Sequence, residues 1–75
     1  MVVENHVRHK LLQIGRAFAA ENALPWLEPV HVSLSRAIPP REWSIRTNAD
    51  GKGSNIEMVI RESDWSIVSA GFLPR

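Results

Sequence analysis

Residues Asn55 to Ala70, NIEMVIRESDWSIVSA, decide the fold, because two alternating runs flank a short polar turn. Before the turn, Ile56, Met58 and Ile60 occupy every second position, and Ile67 continues the alternation after it. A period of two is typical of a strand with one buried face, and a polar turn between two such runs is typical of a β-hairpin. The stretch therefore predicts a hairpin whose apolar face belongs to the core.

Two earlier runs alternate in the same way and predict two further strands. Val32 and Leu34 lie in the first run, and Trp43 and Ile45 lie in the second. Short connections between consecutive strands favour an antiparallel meander in the order 1-2-3-4. The four predicted strands cover residues 30–36, 41–48, 55–62 and 65–71.

Opposite charges predict the register between the second and third strands, since cross-strand neighbours on one face interact directly. One register places Arg46 opposite Glu57 and Glu42 opposite Arg61. We therefore expect two ion pairs on the outer face of the sheet.

A two-residue turn at residues 63–64 would connect the third and fourth strands. Such a turn places Ile60 opposite Ile67 on the inner face and Val59 opposite Val68 on the outer face. The outer face would then carry a small apolar cluster among polar side chains.

One helix is predicted over residues 5 to 24, because Val7, Leu11, Ile14 and Phe18 recur at helical spacing. These four side chains fall within one arc of the helix. We expect this stripe to cover the inner face of the sheet.

Three further residues refine the helix. Pro25 ends it, because proline removes a backbone donor and restricts the residue before it. Gly15 and Ala17 flank the apolar stripe, and their small side chains would allow the helix to lie close to the sheet. The prediction is a single α+β domain, residues 1–75, in which one N-terminal helix packs on a four-stranded antiparallel meander.

Composition limits the classes of function. The 75 residues contain no cysteine, are 44% hydrophobic and have a formal net charge of +1. The lack of cysteine excludes disulfides and thiolate chemistry and favours a reducing, cytoplasmic location. No apolar run is long enough to span a membrane, so we expect a soluble protein without a membrane partner.

Three patterns that resemble reactive sites are better explained as ordinary surface. His6 and His9 are three apart on the helix but belong to no complete metal-binding motif. The glycine-rich loop 50–53 is typical of a hairpin turn and lacks the full phosphate-binding pattern. Glu62 and Asp64 lie at a turn, where solvated carboxylates are common. We therefore predict no catalytic residue, no metal site and no cofactor.

The outer helix face supports an alternative function. Arg8, Lys10 and Arg16 give this face a basic character. A basic patch can bind the phosphate backbone of a nucleic acid, although a solvated helix surface has the same composition. A small nucleic-acid-binding protein is therefore the first alternative, and a small enzyme or ligand carrier is the second.

Contacts with a second copy of the chain are also predicted, through a free edge of the sheet or through the helix. Leu12, Ala19 and Ala23 form a weak second apolar line on the helix, which we call the Leu12 ridge. Helices that are apolar on two sides often have two neighbours. A homodimer could use either surface.

A protein partner is expected on the outer sheet face, where apolar and charged side chains are mixed, or along the free edge of the fourth or the first strand. Trp26, between two prolines of the connector, is either a lid over one end of the core or an anchor for a partner. The candidate partner-binding residues are Arg46, Glu57, Val59, Arg61, Val68 and Trp26.

Residues 41–74 contain, in order, the strand beginning Trp43-Ser-Ile, the turn GKGSN, the strand IEMVI with an acidic turn, and the end SIVSAGFLP. This order resembles small cystatin-like domains, one helix on an antiparallel meander, found among bacterial immunity proteins. The resemblance implies a non-catalytic protein that occupies the surface of a partner. We therefore predict a protein-binding domain, either an inhibitor or an immunity-type factor.

Overall fold

A computed structural model describes residues 4–49, 51 and 55–72 of the chain. One helix precedes a four-stranded antiparallel sheet in the order β1-β2-β3-β4, so the predicted α+β meander is confirmed. Within these described ranges, no helix is long and apolar enough to cross a membrane. The elements are α1 (Asn5–Glu21), β1 (His31–Arg36), β2 (Glu42–Arg46), β3 (Ile56–Arg61) and β4 (Ile67–Phe72).

The helix ends three residues earlier than predicted, and the cause lies before Pro25. Ala23 adopts a positive φ of 54°. Its backbone N–H donates to the carbonyl of Ala20 at 3.4 Å, and the N–H of Leu24 donates to the carbonyl of Ala19 at 2.8 Å. These two bonds form a Schellman motif, which closes a helix at a left-handed residue. Pro25 therefore follows a helix that has already ended.

The buried line of α1 is rotated slightly from the predicted stripe. Ile14 and Phe18 are only partly buried. The buried positions recur every four residues instead of every three or four. They are Val7, Leu11, Gly15 and Ala19.

Gly15 explains this rotation, because it is where the helix approaches its neighbours most closely. A Cβ atom at Gly15 would lie 3.1 Å from Trp26 and 3.2 Å from the Cδ1 atom of Ile45 in β2. The expectation of a close approach at Gly15 is confirmed. The same expectation for Ala17 is wrong, since Ala17 is exposed.

The register predicted between β2 and β3 is confirmed. Glu57 lies opposite Arg46, and their side chains form an ion pair with an Nε to Oε2 distance of 2.9 Å. Arg61 lies opposite Glu42, but its guanidinium contacts Asp64 at 3.4 Å. The prediction of an ion pair between Glu42 and Arg61 is therefore wrong, because Arg61 binds the carboxylate of Asp64, three residues further along in the turn.

The turn after β3 is longer than the predicted two residues. The N–H of Arg61 donates to the carbonyl of Ser66 at 2.9 Å, which leaves residues 62–65 in the turn. Asp64 accepts hydrogen bonds from the backbone N–H of Ser66 at 3.1 Å and from its hydroxyl at 2.7 Å. Trp65 has a positive φ of 57°. A local hydrogen-bond network thus sets the turn length.

A register shift follows the turn and changes the pairing of β4. Ile60 lies opposite Ile67 as predicted, but Val59 lies opposite Ser69. The predicted pair of Val59 and Val68 is therefore wrong. At this point two residues of β4 lie opposite one residue of β3, and this arrangement defines a β-bulge.

The bulge reverses the faces of the rest of β4. Met58 lies opposite Ala70, and Ile56 lies opposite Phe72. Both β3 residues are fully buried and belong to the core on the inner face of the sheet. Since cross-strand pairs share a face, Ala70 and Phe72 lie on the inner, helix-bearing side.

Candidate binding surface

The outer sheet face carries a hydrogen-bonded charge cluster built on β2 and β3. Glu57 accepts hydrogen bonds from Arg46 at 2.9 Å and from the hydroxyl of Ser44 at 3.1 Å. Ser44 is only 7% exposed although its position belongs to the outer face. The sequence did not indicate a role for Ser44. The structure shows that it helps to fix the carboxylate of Glu57.

Arg61, another predicted partner-binding residue, lies at the turn end of the same face. Its guanidinium contacts the carboxylate of Asp64 at 3.4 Å and the hydroxyl of Ser66 at 3.5 Å. Hydrogen bonds from the Ser66 hydroxyl and backbone N–H, followed by the charge of Arg61, lower the pKa of Asp64. Arg61 is therefore part of the turn network as well as of the outer face.

The two valines of the predicted surface are separated by the bulge. Val59 is partly buried and lies opposite Ser69. Val68 lies at the bulge in the edge strand and remains 45% exposed. Val68 is therefore not a cross-strand neighbour of Val59, and the predicted apolar pair on the outer face does not form.

Trp26 does not join the other predicted partner-binding residues. Its ring lies against Gly15 of α1, and the guanidinium of Arg16 lies over it at 5.9 Å from the ring centre. The indole packs on the core from the helix side, while the outer face lies across the sheet. Of the two interpretations of Trp26, the structure favours the lid. Among the described residues, its buried Nε1 has no hydrogen-bond partner.

The basic residues of the nucleic-acid alternative do not converge. Arg8 is partly buried, and Lys10 is about 160° away around the helix axis at 100° per residue. Arg16 forms an exposed ion pair with Glu28 at 3.5 Å and lies over Trp26. The three cations therefore point in different directions and do not form one continuous patch.

The Leu12 ridge does not form as predicted. Ala19 is 1% exposed and belongs to the core. Ala23 lies beyond the end of α1. Leu12 lines an open depression on the helix together with His9 and Arg16, as well as Gln13. The predicted line is thus divided between the core, the helix cap and a polar surface.

The structure describes parts of two of the patterns that resembled reactive sites. His6 contacts Glu4 at 3.3 Å, and the described part of the chain has no group of three or more residues able to hold a metal ion. Of the loop 50–53, only Gly51 belongs to the described residues. Trp43 is buried in the core, and Trp65 packs against it.

A carboxylate cluster at the start of β2 was not predicted. Glu62 accepts hydrogen bonds from one Nη atom of Arg41 at 2.7 and 2.8 Å and from the indole Nε1 of Trp43 at 2.7 Å. The guanidinium also lies over the Trp43 ring, 5.4 Å from its centre. The backbone N–H of Glu62 donates to the carbonyl of Arg41 at 2.8 Å. We call these three residues the Glu62 cluster.

The hydrogen bond from Arg41 is the main cause of a lowered pKa at Glu62, and that from Trp43 is the second. A carboxylate held in its charged form by two donors is a weak general base and a poor general acid at neutral pH. The Glu62 cluster is therefore suited to fixing the turn. A buried indole usually finds a hydrogen-bond acceptor, and Trp43 was the one signal in the sequence that pointed to such a cluster.

The edge strand β4 carries two of the exposed large apolar side chains in the described ranges; Ile38, between β1 and β2, is a third and is 71% exposed. Phe72 is 60% exposed and Val68 is 45% exposed, whereas Ile56, opposite Phe72, is fully buried. The six residues of β4, IVSAGF, contain no charge and no proline. The helix contacts the central strand β2, and Ala70 and Phe72 on the helix side of β4 are exposed.

The other edge strand, β1, differs in its chemistry. Its six residues, HVSLSR, begin with His31 and end with Arg36, both exposed. Pro29 precedes it, and Pro39 and Pro40 follow it. Charges and prolines at an edge oppose pairing with another strand. Of the two sheet edges, β4 is therefore the one open to strand addition.

Comparison with protein-family models found no match, and comparisons with curated proteins and with solved structures found no match either. The resemblance to cystatin-like immunity proteins therefore stays a prediction.

Proposed function

We propose that this chain is a non-catalytic protein-binding domain that pairs an extended protein segment with the free edge of β4. The observation that supports the proposal is an uncharged edge strand with exposed Val68 and Phe72. An edge strand presents unpaired backbone N–H and C=O groups, so an added strand gains main-chain hydrogen bonds. Alternate side chains of the partner would contact the exposed apolar residues and give selectivity.

The outer face beside this edge would form the polar border of the interface. Arg46 and Glu57 are already paired with each other, so binding would not have to order them. Arg61 is held in the same way by Asp64. The partner-binding surface proposed here therefore consists of β4 and these charged residues of the outer face, without Trp26.

A binding role agrees with the chemistry of the acidic residues. The pKa values of Glu62 and Asp64 are both lowered by hydrogen bonds, which opposes proton transfer near neutral pH. An inhibitor or immunity-type factor is the biological role that we propose for such a domain. Its proposed location is the cytoplasm, on the basis of the cysteine-free sequence.

A peptide selection tests the proposed edge. A library of random extended peptides is selected on the wild-type chain, and the enriched peptides are then measured on two variants by fluorescence anisotropy. Ser69→Lys places a cation on β4, and Ser35→Lys places the same cation at an exposed position of β1. We expect Ser69→Lys to weaken binding at least roughly tenfold and Ser35→Lys to leave it unchanged.

Amide hydrogen exchange provides the second measurement. Bound peptide should slow exchange in residues 68–72 more than in residues 31–36, because the new backbone bonds form at β4. Peptides that bind both lysine variants equally, or protection confined to β1, would overturn the proposed edge.

A further inference from the structure

We infer that the strand that pairs with β4 is β4 of a second copy of this chain. This inference rests on the proposed function and names the partner for the same edge. The two strands would run antiparallel about a two-fold axis that passes beside Ala70. The product is a continuous eight-stranded sheet that has both helices on one face.

The absence of charge on β4 is the first argument. A two-fold interface brings the same surface from both copies together, so every charge on it meets its own copy or a near neighbour. The segment IVSAGF has no charged side chain, and two such edges can approach without repulsion. Self-pairing of β1 would instead bring the His31 end of one copy beside the Arg36 end of the other.

The faces of β4 restrict the register. Residues opposite each other in an antiparallel pair share a face, and Ala70 and Phe72 lie on the helix side while Ser69 and Gly71 lie on the outer side. A two-fold axis at Ala70 satisfies this condition. It places Ala70 opposite its own copy and Ser69 opposite Gly71.

The same register accounts for the exposed apolar residues. Val68 of one copy would lie opposite Phe72 of the other, and the symmetry forms this pair twice. These two residues are 45% and 60% exposed in the single chain. Cross-strand pairs of an aromatic and a β-branched residue stabilise sheets. The exposed residues on the helix side of β4, Ala70 and Phe72, would then lie between the two helices of the dimer.

A charge swap at Ala70 tests this arrangement. Ala70 is exposed, so Ala70→Lys and Ala70→Glu place their new side chains outside the core. In the proposed register, each new charge lies directly opposite its own copy. Each variant alone should dimerise at least roughly tenfold more weakly than the wild type, because like charges meet at the interface. An equimolar mixture should form heterodimers, because lysine then lies opposite glutamate.

Sedimentation equilibrium of the wild type, the two variants and the mixture measures these states. The same charge swap at Ser35 in β1 is the matched control and should leave the wild-type dimer unchanged. Restored dimerisation in the mixture also shows that the two variants are folded.

Two results would overturn the inference. One is a wild-type chain that stays monomeric up to roughly 1 mM, the Kd of a very weak interface. The other is a dimer that the Ala70 charges do not weaken. If the wild type is monomeric but binds the selected peptides, and Ser69→Lys does not bind them, then β4 is still the binding edge and only the proposed self-pairing has failed. If it binds no peptide either, both proposals fail.

Discussion

Replacing Glu62 should destabilise the fold more than its partly exposed position suggests. Its side chain is 26% exposed, yet it accepts a hydrogen bond from the indole N–H of Trp43. Trp43 itself is only 2% exposed. Glu62→Ala removes that acceptor and the partner of Arg41 in one step. Glu62→Gln keeps an amide oxygen for the indole and loses only the charge. The two variants therefore separate the hydrogen bond from the ion pair.

The expected magnitudes follow from these two interactions. An unpaired indole N–H costs about 1–3 kcal/mol, and a half-exposed ion pair contributes about 0.5 kcal/mol. Glu62→Ala should thus lower the free energy of unfolding by about 2 kcal/mol, against about 3–5 kcal/mol for a core of this size. The Tm should fall by roughly 8–16 °C for Glu62→Ala. Glu62→Gln should cost about 0.5–1 kcal/mol.

The effect should also depend on pH. The folded-state pKa of Glu62 is lowered, mainly by Arg41, so its charged form stabilises the fold above the ordinary carboxyl pKa. That contribution is lost as the pH falls through the lowered folded-state pKa. The difference in stability between the wild type and Glu62→Gln should therefore be largest at neutral pH and shrink in acid.

Thermal and urea unfolding, followed by circular dichroism at several pH values, measure these differences. Glu28→Ala is the control, because it removes an exposed carboxylate paired with Arg16 at 3.5 Å. It should change the stability by no more than about 0.5 kcal/mol. Equal losses for Glu62→Ala and Glu62→Gln would refute the role of the Trp43 hydrogen bond. A pH-independent difference between the wild type and Glu62→Gln would refute the role of the charge.

Two further substitutions and one control substitution test the helix. Ala23→Gly should raise the free energy of unfolding by about 1 kcal/mol, since Ala23 has a φ of 54° and glycine carries no steric penalty there. Urea unfolding measures this change. A loss of stability in Ala23→Gly would contradict the Schellman motif. Gly15→Val should cost about 1–3 kcal/mol by overpacking, because even a Cβ there lies 3.2 Å from Ile45. Ala17→Val, at an exposed position of the same helix, should cost only about 0.5 kcal/mol, and equal melting temperatures for the two valine variants would exclude a close contact at Gly15.

The central part of the fold could be predicted because several local signals agree there. The alternation of β2 and β3 fixes their faces, and Arg46 opposite Glu57 fixes their register. Both signals involve residues close in sequence or matched in charge. The order of the strands then follows from short connections.

The differences arise where ordinary residues take conformations usually reserved for glycine. Ala23 closes the helix and Trp65 shapes the turn, both at positive φ. Neither residue type signals a left-handed conformation in a sequence. The predicted end of the helix and the predicted register of β4 after Ile67 were therefore wrong, and the second error also misplaced Val68 relative to Val59.

The Glu62 cluster could not be predicted for a different reason. Its donors Arg41 and Trp43 are 21 and 19 residues from Glu62 in the sequence. Only the folded sheet brings the three together. The candidate binding edge was recognised as one of two free edges, but its exposed residues depend on the bulge and on the position of α1.

The bulge at Val68 makes the face assignment of β4 sensitive to chain length. Deleting a single residue there would exchange the sides of every position that follows. Phe72 would move to the helix-free side, and Gly71 would take its place beside the core. Substitutions along β4 can therefore be tolerated one at a time, whereas an insertion or deletion of one residue would invert the whole edge at once. For this chain, the number of residues between the β3–β4 turn and Phe72 matters as much as their identity.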